Sequence, residues 1–458
     1  MLVRKLKPET HKSGMTYLKK LFWLYFLLLI FEGALRKWFL TPLAAPLLLV
    51  RDPVALLIIV EAFRINKWPA KWSTITGALA VMLITLCVVQ MILMENPWIA
   101  AVYGLRSYLL PFPVAFIMGE NLDREDLRKF GVCTLWILLP MTALQAVQYL
   151  SPPGAFVNAG AYEGAQQIYY VDAHVRASGT FSFVTGSTCF GPFAAAFLFY
   201  GLANEKFAKK WLLWAGVGAL VLSVPIVGSR ALEFSMAAVV ACAAVSAMFG
   251  ISQFIKGLKI LVPLAAVFLV VSFLPVFSQS TASLKERSKV SYTVEGGVRH
   301  SVESRTFGAL LAGLEESDLI RSPLGIGMGQ GANAIAKLLT GSAQFMAGEG
   351  EFGRIVTEMG PFIGIAFMLF RCLLTLWILR HALTRAADHD PLALLMWPLV
   401  FLTLIMSVLE QPTEQGFMVV SVAMSLAAMK PAGQRALRPA MENQRSLTAR
   451  PTVRPYSR

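Results

Sequence analysis

Five residues at the ends of apolar segments have the types and spacing to do chemistry: three arginines and two glutamates. Arg176 stands in Val-Arg-Ala-Ser-Gly-Thr-Phe, Arg230 in the tight turn Gly-Ser-Arg-Ala, and Arg305 opens a stretch of helical apolar spacing. A guanidinium presents a planar fork of donors to phosphate oxygens, so three of them at one depth would make a site for a diphosphate. Arg230 has no hydrophilic loop to carry it, and charge at a lipid boundary is costly enough to point to function. Taken singly, each arginine has a plainer reading: it reaches lipid headgroups, or pairs locally as Arg230 would with Glu233. Glu349 and Glu351 lie in Gly-Glu-Gly-Glu-Phe-Gly-Arg, with Arg354 beside them. A carboxylate at the mouth of a membrane cavity is suited to general-base work, and the alternative is a solvated glutamate paired with Arg354. His174 and His300 are candidate bases too, although a lone loop histidine is more often solvated. No spacing of His, Asp or Cys matches a metal site, and neither metal nor cofactor is expected.

What must position these residues is a membrane. The chain is 56% hydrophobic and 15% charged with a mean hydropathy of +0.61, which excludes a soluble domain of 458 residues. A spanning helix needs about 20 mostly apolar residues. Such runs are read at 18–35, 43–63, 73–94, 98–119, 130–150, 180–203, 211–228, 231–250, 258–277, 355–379, 392–409 and 416–429. The predicted fold is therefore all-α, a polytopic bundle of about twelve transmembrane helices forming one domain over 1–430. Glu32 interrupts the first run. Cys87, Cys133, Cys189, Cys242 and Cys372 all fall inside runs and read as small packing residues.

The basic residues set an orientation. With both termini inside, the inner segments hold Lys19, Lys20, Arg64, Lys67, Arg124, Arg128, Lys206, Lys210, Arg380 and Arg385, while the short outer ones near Glu95 and Gln411–Glu414 hold none. The net charge of +14 is then mostly topology. Nucleic-acid binding would need the basic residues gathered on one face, and here they are dealt out among loops. The tail 431–458, rich in Arg and Pro, is expected to be disordered, cytoplasmic and close to anionic lipid. Asp123-Arg-Glu-Asp reads as a solvated inner loop, Arg51-Asp52 as a buried ion pair, and Arg106 as structural.

Two outer loops are long enough to hold structure, 151–179 and 278–353. In the second, Phe307, Leu310, Leu311 and Leu314 recur with helical spacing, an amphipathic helix suited to a membrane surface. Gly325, Gly327, Gly329 and Gly331 follow at alternate positions. They match neither a dinucleotide fingerprint nor a P-loop. Exposed amides there could cradle an anion or a sugar, or the run could simply be a tight connection.

Four stretches together resemble the O-antigen ligase and O-antigen polymerase family of bacterial envelope glycosyltransferases. They are Val175–Phe181, Gly228–Ala231, Ser304 onward through Ser322-Pro-Leu-Gly-Ile-Gly-Met-Gly329, and Glu358-Met-Gly-Pro-Phe-Ile-Gly364. The resemblance implies a helical bundle with a periplasmic loop capping a central cavity in the bacterial inner membrane. It also implies a donor glycan on a polyprenyl diphosphate, held by Arg176, Arg230 and Arg305, with Glu349 as base and Glu351 as its understudy. Ligases of this family carry a histidine nine residues before the Glu358 position, where this chain has Glu349, so a polymerase of O-antigen or exopolysaccharide is the expectation. Membrane lipids, a chain-length regulator and a flippase are the implied partners, and nucleic acid is not one. The alternatives are a ligase attaching finished glycan to a lipid or protein acceptor, and a lipid-linked oligosaccharide flippase.

Overall fold

A chain in lipid must satisfy its own backbone, and the apolar runs do so as helices. The computed structural model describes residues 8–161, 174–249, 323–332 and 351–431, with a few more at 273–275, 277–279, 281, 282, 285 and 335. The helices are α1 (Pro8–Ala34), α2 (Arg51–Arg64), α3 (Ala70–Leu93), α4 (Trp98–Tyr108), α5 (Pro111–Asn121) and α6 (Arg124–Leu150). They continue as α7 (Val184–Ala203), α8 (Lys210–Val227), α9 (Arg230–Ala247), α10 (Glu351–Ala387), α11 (Leu392–Phe401) and α12 (Pro412–Ala428). No β-strand occurs among the described residues.

Eight helical segments are long and apolar enough to cross a membrane: Thr41–Arg64, Ala70–Leu93, Trp98–Asn121, Arg124–Leu150, Val184–Ala203, Lys210–Val227, Arg230–Ala247 and Glu351–Ala387. The protein is thus a multi-pass membrane protein. The runs expected at 18–35, 392–409 and 416–429 are helical but more charged or shorter than that, and the run at 258–277 falls almost wholly outside the described residues. So do most of the loop 278–353, the amphipathic helix expected within it, and the tail beyond Pro431.

Exposure agrees with lipid contact. α3 turns Val81 and Ile92 outward at 69% and 71% exposure, and α10 turns Phe362 outward at 74%. Contiguous apolar faces of this kind mark a surface that water does not wet. The opposite case is α12, buried on every face from Glu414 to Ala428 and packed against α5, α7 and α11. A helix apolar all round belongs at the centre of a bundle. Proline lies inside several helices, Pro140 in α6, Pro192 in α7 and Pro225 in α8, where it removes a backbone hydrogen bond.

The helix ends sort into two sets. At the basic end, Lys19 of α1 bonds Asp123, 3.0 Å away, and Asp126 at the start of α6. Arg124 pairs with Asp390 before α11 and donates to the Ala428 carbonyl at the end of α12, at 2.7 Å. The Asp123-Arg-Glu-Asp segment is thus not a loose loop. Asp123 caps α6 in a reciprocal box, Asp126 N donating to Asp123 Oδ1 at 3.0 Å and Asp123 N to Asp126 Oδ2 at 2.9 Å. Such a cap contributes about 1 kcal/mol. At the opposite end lie the junctions α6–α7 and α8–α9, the start of α10, and the break between α11 and α12.

Arg51 and Asp52 do not pair with each other, contrary to expectation. Adjacent residues on a helix point about 100° apart, so each finds its own partner. Arg51 Nε lies 3.1 Å from Glu32 Oε2, and Asp52 Oδ2 lies 2.6 Å from Arg106 Nε. Glu32 is buried and also faces Arg36 at 3.5 Å, which is how α1 tolerates a carboxylate inside an apolar run.

Candidate functional site

The Arg176 stretch is clasped by the end of α1. Lys37 Nζ donates to Ser178 Oγ at 3.1 Å and to the Gly179 carbonyl at 2.7 Å, and Arg36 Nη1 donates to Ser182 Oγ at 3.1 Å. Thr180 Oγ1 donates to the Ile30 carbonyl at 2.6 Å. Gln148 closes the loop from the other side, accepting from Gly179 N at 2.7 Å and donating to the Gly179 carbonyl at 3.1 Å. Gly179 has φ +61°, a left-handed conformation that favours glycine. A Cβ on Gly33 would come within 2.4 Å of Ser182 N, so only glycine lets α1 approach this loop. His174 stacks on Tyr149, ring centroids 4.5 Å apart.

The Arg230 turn lies alongside. α8 ends at Gly228, again left-handed (φ +57°), and Arg230 is the first residue of α9. Ser229 Oγ accepts from Thr188 Oγ1 at 3.1 Å. Ala177, next to Arg176, packs with Tyr149 and Ile226, and Val227 packs with Val184 and Leu232. Two of the three arginines named from sequence therefore belong to neighbouring segments at one end of the bundle, both half-buried. Arg305 lies outside the described residues.

The glycine run has its anion already. The Glu358 carboxylate is fully buried and accepts from Gly331 N at 2.7 Å, Gly329 N at 3.0 Å and Tyr108 Oη at 3.0 Å. The run could cradle an anion, and it does, but the anion is the protein's own side chain. Gln90 pins both partners, donating to the Leu324 and Glu358 carbonyls at 2.6 and 2.7 Å and accepting from Met328 N at 2.9 Å. Gly360 breaks α10 with φ +77°, and a Cβ there would lie 2.2 Å from the Pro323 carbonyl oxygen.

Beside this knot lies a buried ion-pair chain. Glu351 Oε1 is 2.7 Å from Arg371 Nη1, and its Oε2 is 2.9 Å from Arg354 Nη2. Leu409 N also donates to Glu351, at 3.2 Å. Arg354 Nη1 continues to Glu410 Oε2 at 3.0 Å. Glu351 is thus engaged by two guanidiniums and an amide, a poor arrangement for taking a proton from a substrate. Glu349, two residues earlier, lies outside the described residues.

Burial, and then the Glu358 carboxylate, push the Glu410 acid well above the ordinary carboxylate range. Lys37 is moved the other way, burial lowering its ammonium from the ordinary 10.5 to about 7. Among the described residues no group of three or more His, Cys, Asp or Glu could hold a metal ion.

Sequence reasoning missed Lys37, Arg36, Arg371 and Glu410. One trace of the first two was available. Two adjacent cations after an inward-starting span contradict the rule that gathers Lys and Arg on the inner side. Both are buried in protein, Lys37 at 2% exposure, where that rule does not operate. Comparison of the chain with protein-family models and with curated proteins finds no match.

Proposed function

We propose that the protein is a membrane glycosyltransferase that polymerises polyprenyl-diphosphate-linked oligosaccharide repeat units into O-antigen or exopolysaccharide. One observation carries the reading. The Arg176 loop, the Arg230 turn, the Pro323–Gly329 run and Glu358 are far apart in sequence, yet all are anchored by buried hydrogen bonds or tight packing at the end opposite the basic one. These are the stretches that resemble the O-antigen ligase and polymerase family. In this reading the bundle has twelve spans, the basic end is cytoplasmic with both termini, and the chemistry is periplasmic in the bacterial inner membrane.

Arg176, Arg230 and Arg305 bind the diphosphate and stabilise the charge that grows on it as the glycosidic bond breaks. An acceptor sugar hydroxyl attacks the anomeric carbon with inversion, Glu349 takes its proton, and polyprenyl diphosphate leaves. No nucleotide sugar takes part. Glu351, tied to Arg354 and Arg371, positions the start of α10 rather than acting as the base. A chain-length regulator and a flippase are the natural partners.

The test is in cells. Arg305→Ala and Glu349→Ala should each abolish chain lengthening with protein level in the membrane unchanged, and normal polymer length in both would refute the reading. Repeat units stranded on the inner leaflet of a deletion strain would point to a flippase instead.

A further inference from the structure

A cavity of about 640 Å³ opens at the basic end, among the ends of α1, α5, α6, α7 and α12. That is the size of ordinary small-ligand pockets. Its lining is lopsided in charge, with Lys19, Lys67, Arg124, Arg128, Lys206 and Lys430 against Glu120, Asp123 and Glu125. Six cations less three acids leaves a surplus of three.

Only part of that charge is unmatched, since Arg128 also faces Glu125 at 3.5 Å. Lys19 is taken by Asp123 and Asp126, and Arg124 by Asp390. Lys67 and Lys206 form no ion pair among the described residues, and Lys430 is not in one either. The Lys430 ammonium donates to carbonyl oxygens, those of Glu120 and of Leu122 (3.0 Å to the latter). Burial lowers it to about 8 against the pull of Glu120, Asp123 and Asp126, and an incoming phosphate would add to that pull. The rest of the wall is mainly apolar, with Met15, Leu127, Phe207 and Leu392 among its residues beside Asn121, Asn204 and Tyr200. Cations over apolar side chains, at the level where spanning helices meet water, match a phosphate joined to a glycerol and the first carbons of an acyl chain.

We infer that this cavity is a binding site for the phosphate of an anionic phospholipid, with Lys67, Lys206 and Lys430 supplying the charge. The same phosphate chemistry could be offered by a soluble phosphomonoester, and the apolar wall favours the lipid. The site is at the opposite end of the bundle from the proposed chemistry and does not depend on it.

The test uses the full-length protein in detergent, with binding read by native mass spectrometry and by the unfolding midpoint. Probes are phosphatidylglycerol, phosphatidylcholine of the same chains, and glycerol 1-phosphate. Phosphatidylglycerol should bind saturably, about tenfold more tightly than phosphatidylcholine, and raise the midpoint. Lys67→Gln should weaken it about fivefold while leaving the lipid-free midpoint unchanged, and Lys430→Gln, which also loses its two carbonyl bonds, should weaken it as much while lowering that midpoint. Should Lys430→Gln fail to fold, Lys67→Gln decides alone. Equal binding of the two lipids, or unchanged phosphatidylglycerol affinity in the folded variants, overturns the site. Glycerol 1-phosphate binding as tightly as phosphatidylglycerol overturns the lipid assignment.

Discussion

Glu358→Gln isolates what the glycine run does. The carboxylate accepts from two backbone amides, at 2.7 and 3.0 Å, and from the Tyr108 hydroxyl at 3.0 Å. Glutamine keeps one oxygen and replaces the other with an NH₂. Whichever way the amide is turned, either Gly329 N or Gly331 N then faces a donor in a fully buried site. A hydrogen bond to a charged acceptor is worth about 1.5–3 kcal/mol, and a stranded buried donor costs a similar amount. The expected loss is about 2–3 kcal/mol, concentrated where the run meets α10. Tyr108→Phe removes one donor and strands none, so its loss should be smaller, about 1.5 kcal/mol. The assay is hydrogen exchange on peptides covering 323–332 together with the unfolding midpoint in detergent. In Glu358→Gln the amides of Gly329 and Gly331 should lose protection before the helices do. Unchanged protection and an unchanged midpoint would refute the cradle.

Two further predictions turn on pH. Glu410 has a raised acid, so its contribution to stability is complete below the ordinary carboxylate range and is lost as pH rises through the raised value. Glu410→Gln copies the protonated form, and thermal melts across a pH series should show a shallower alkaline decline than wild type; parallel curves would sink this. Lys37 has a lowered value of about 7, so above that pH the unfolded chain binds a proton that the folded chain has released. Stability from this group therefore rises with pH from about 7 toward 10.5, by about 2 kcal/mol over the first two pH units. Lys37→Met should remove that slope in urea titrations, and an identical slope in the variant would show Lys37 to be charged throughout.

Eight of the spans were legible in sequence because lipid imposes a simple demand: long apolar runs read as helices wherever they occur. The Arg176 and Arg230 segments could be named for the same reason, as charges where lipid should exclude them. The polar knot was not legible. Gln90 bonds Leu324 and Glu358, residues hundreds of positions away, and each looks in isolation like an ordinary polar residue in a helix. Arg371 was overlooked inside an apolar run, and its partner Glu351 read as an understudy base because Arg371 and Leu409 were not visible beside it. Alternate glycines announced close backbone approach without saying what approached. Arg51-Asp52 misled through adjacency, since neighbours in sequence point apart on a helix.

The most direct measurement is a reconstituted one. Purified protein in phospholipid vesicles is given polyprenyl-diphosphate-linked repeat units, and product length is read on gels and by mass spectrometry. A polymerase should give longer lipid-linked chains with release of polyprenyl diphosphate, and Arg176→Ala or Arg230→Ala, both folded by their unfolding midpoints, should give none. Chains of unchanged length with wild-type protein, or equal lengthening by both variants, would contradict the polymerase reading.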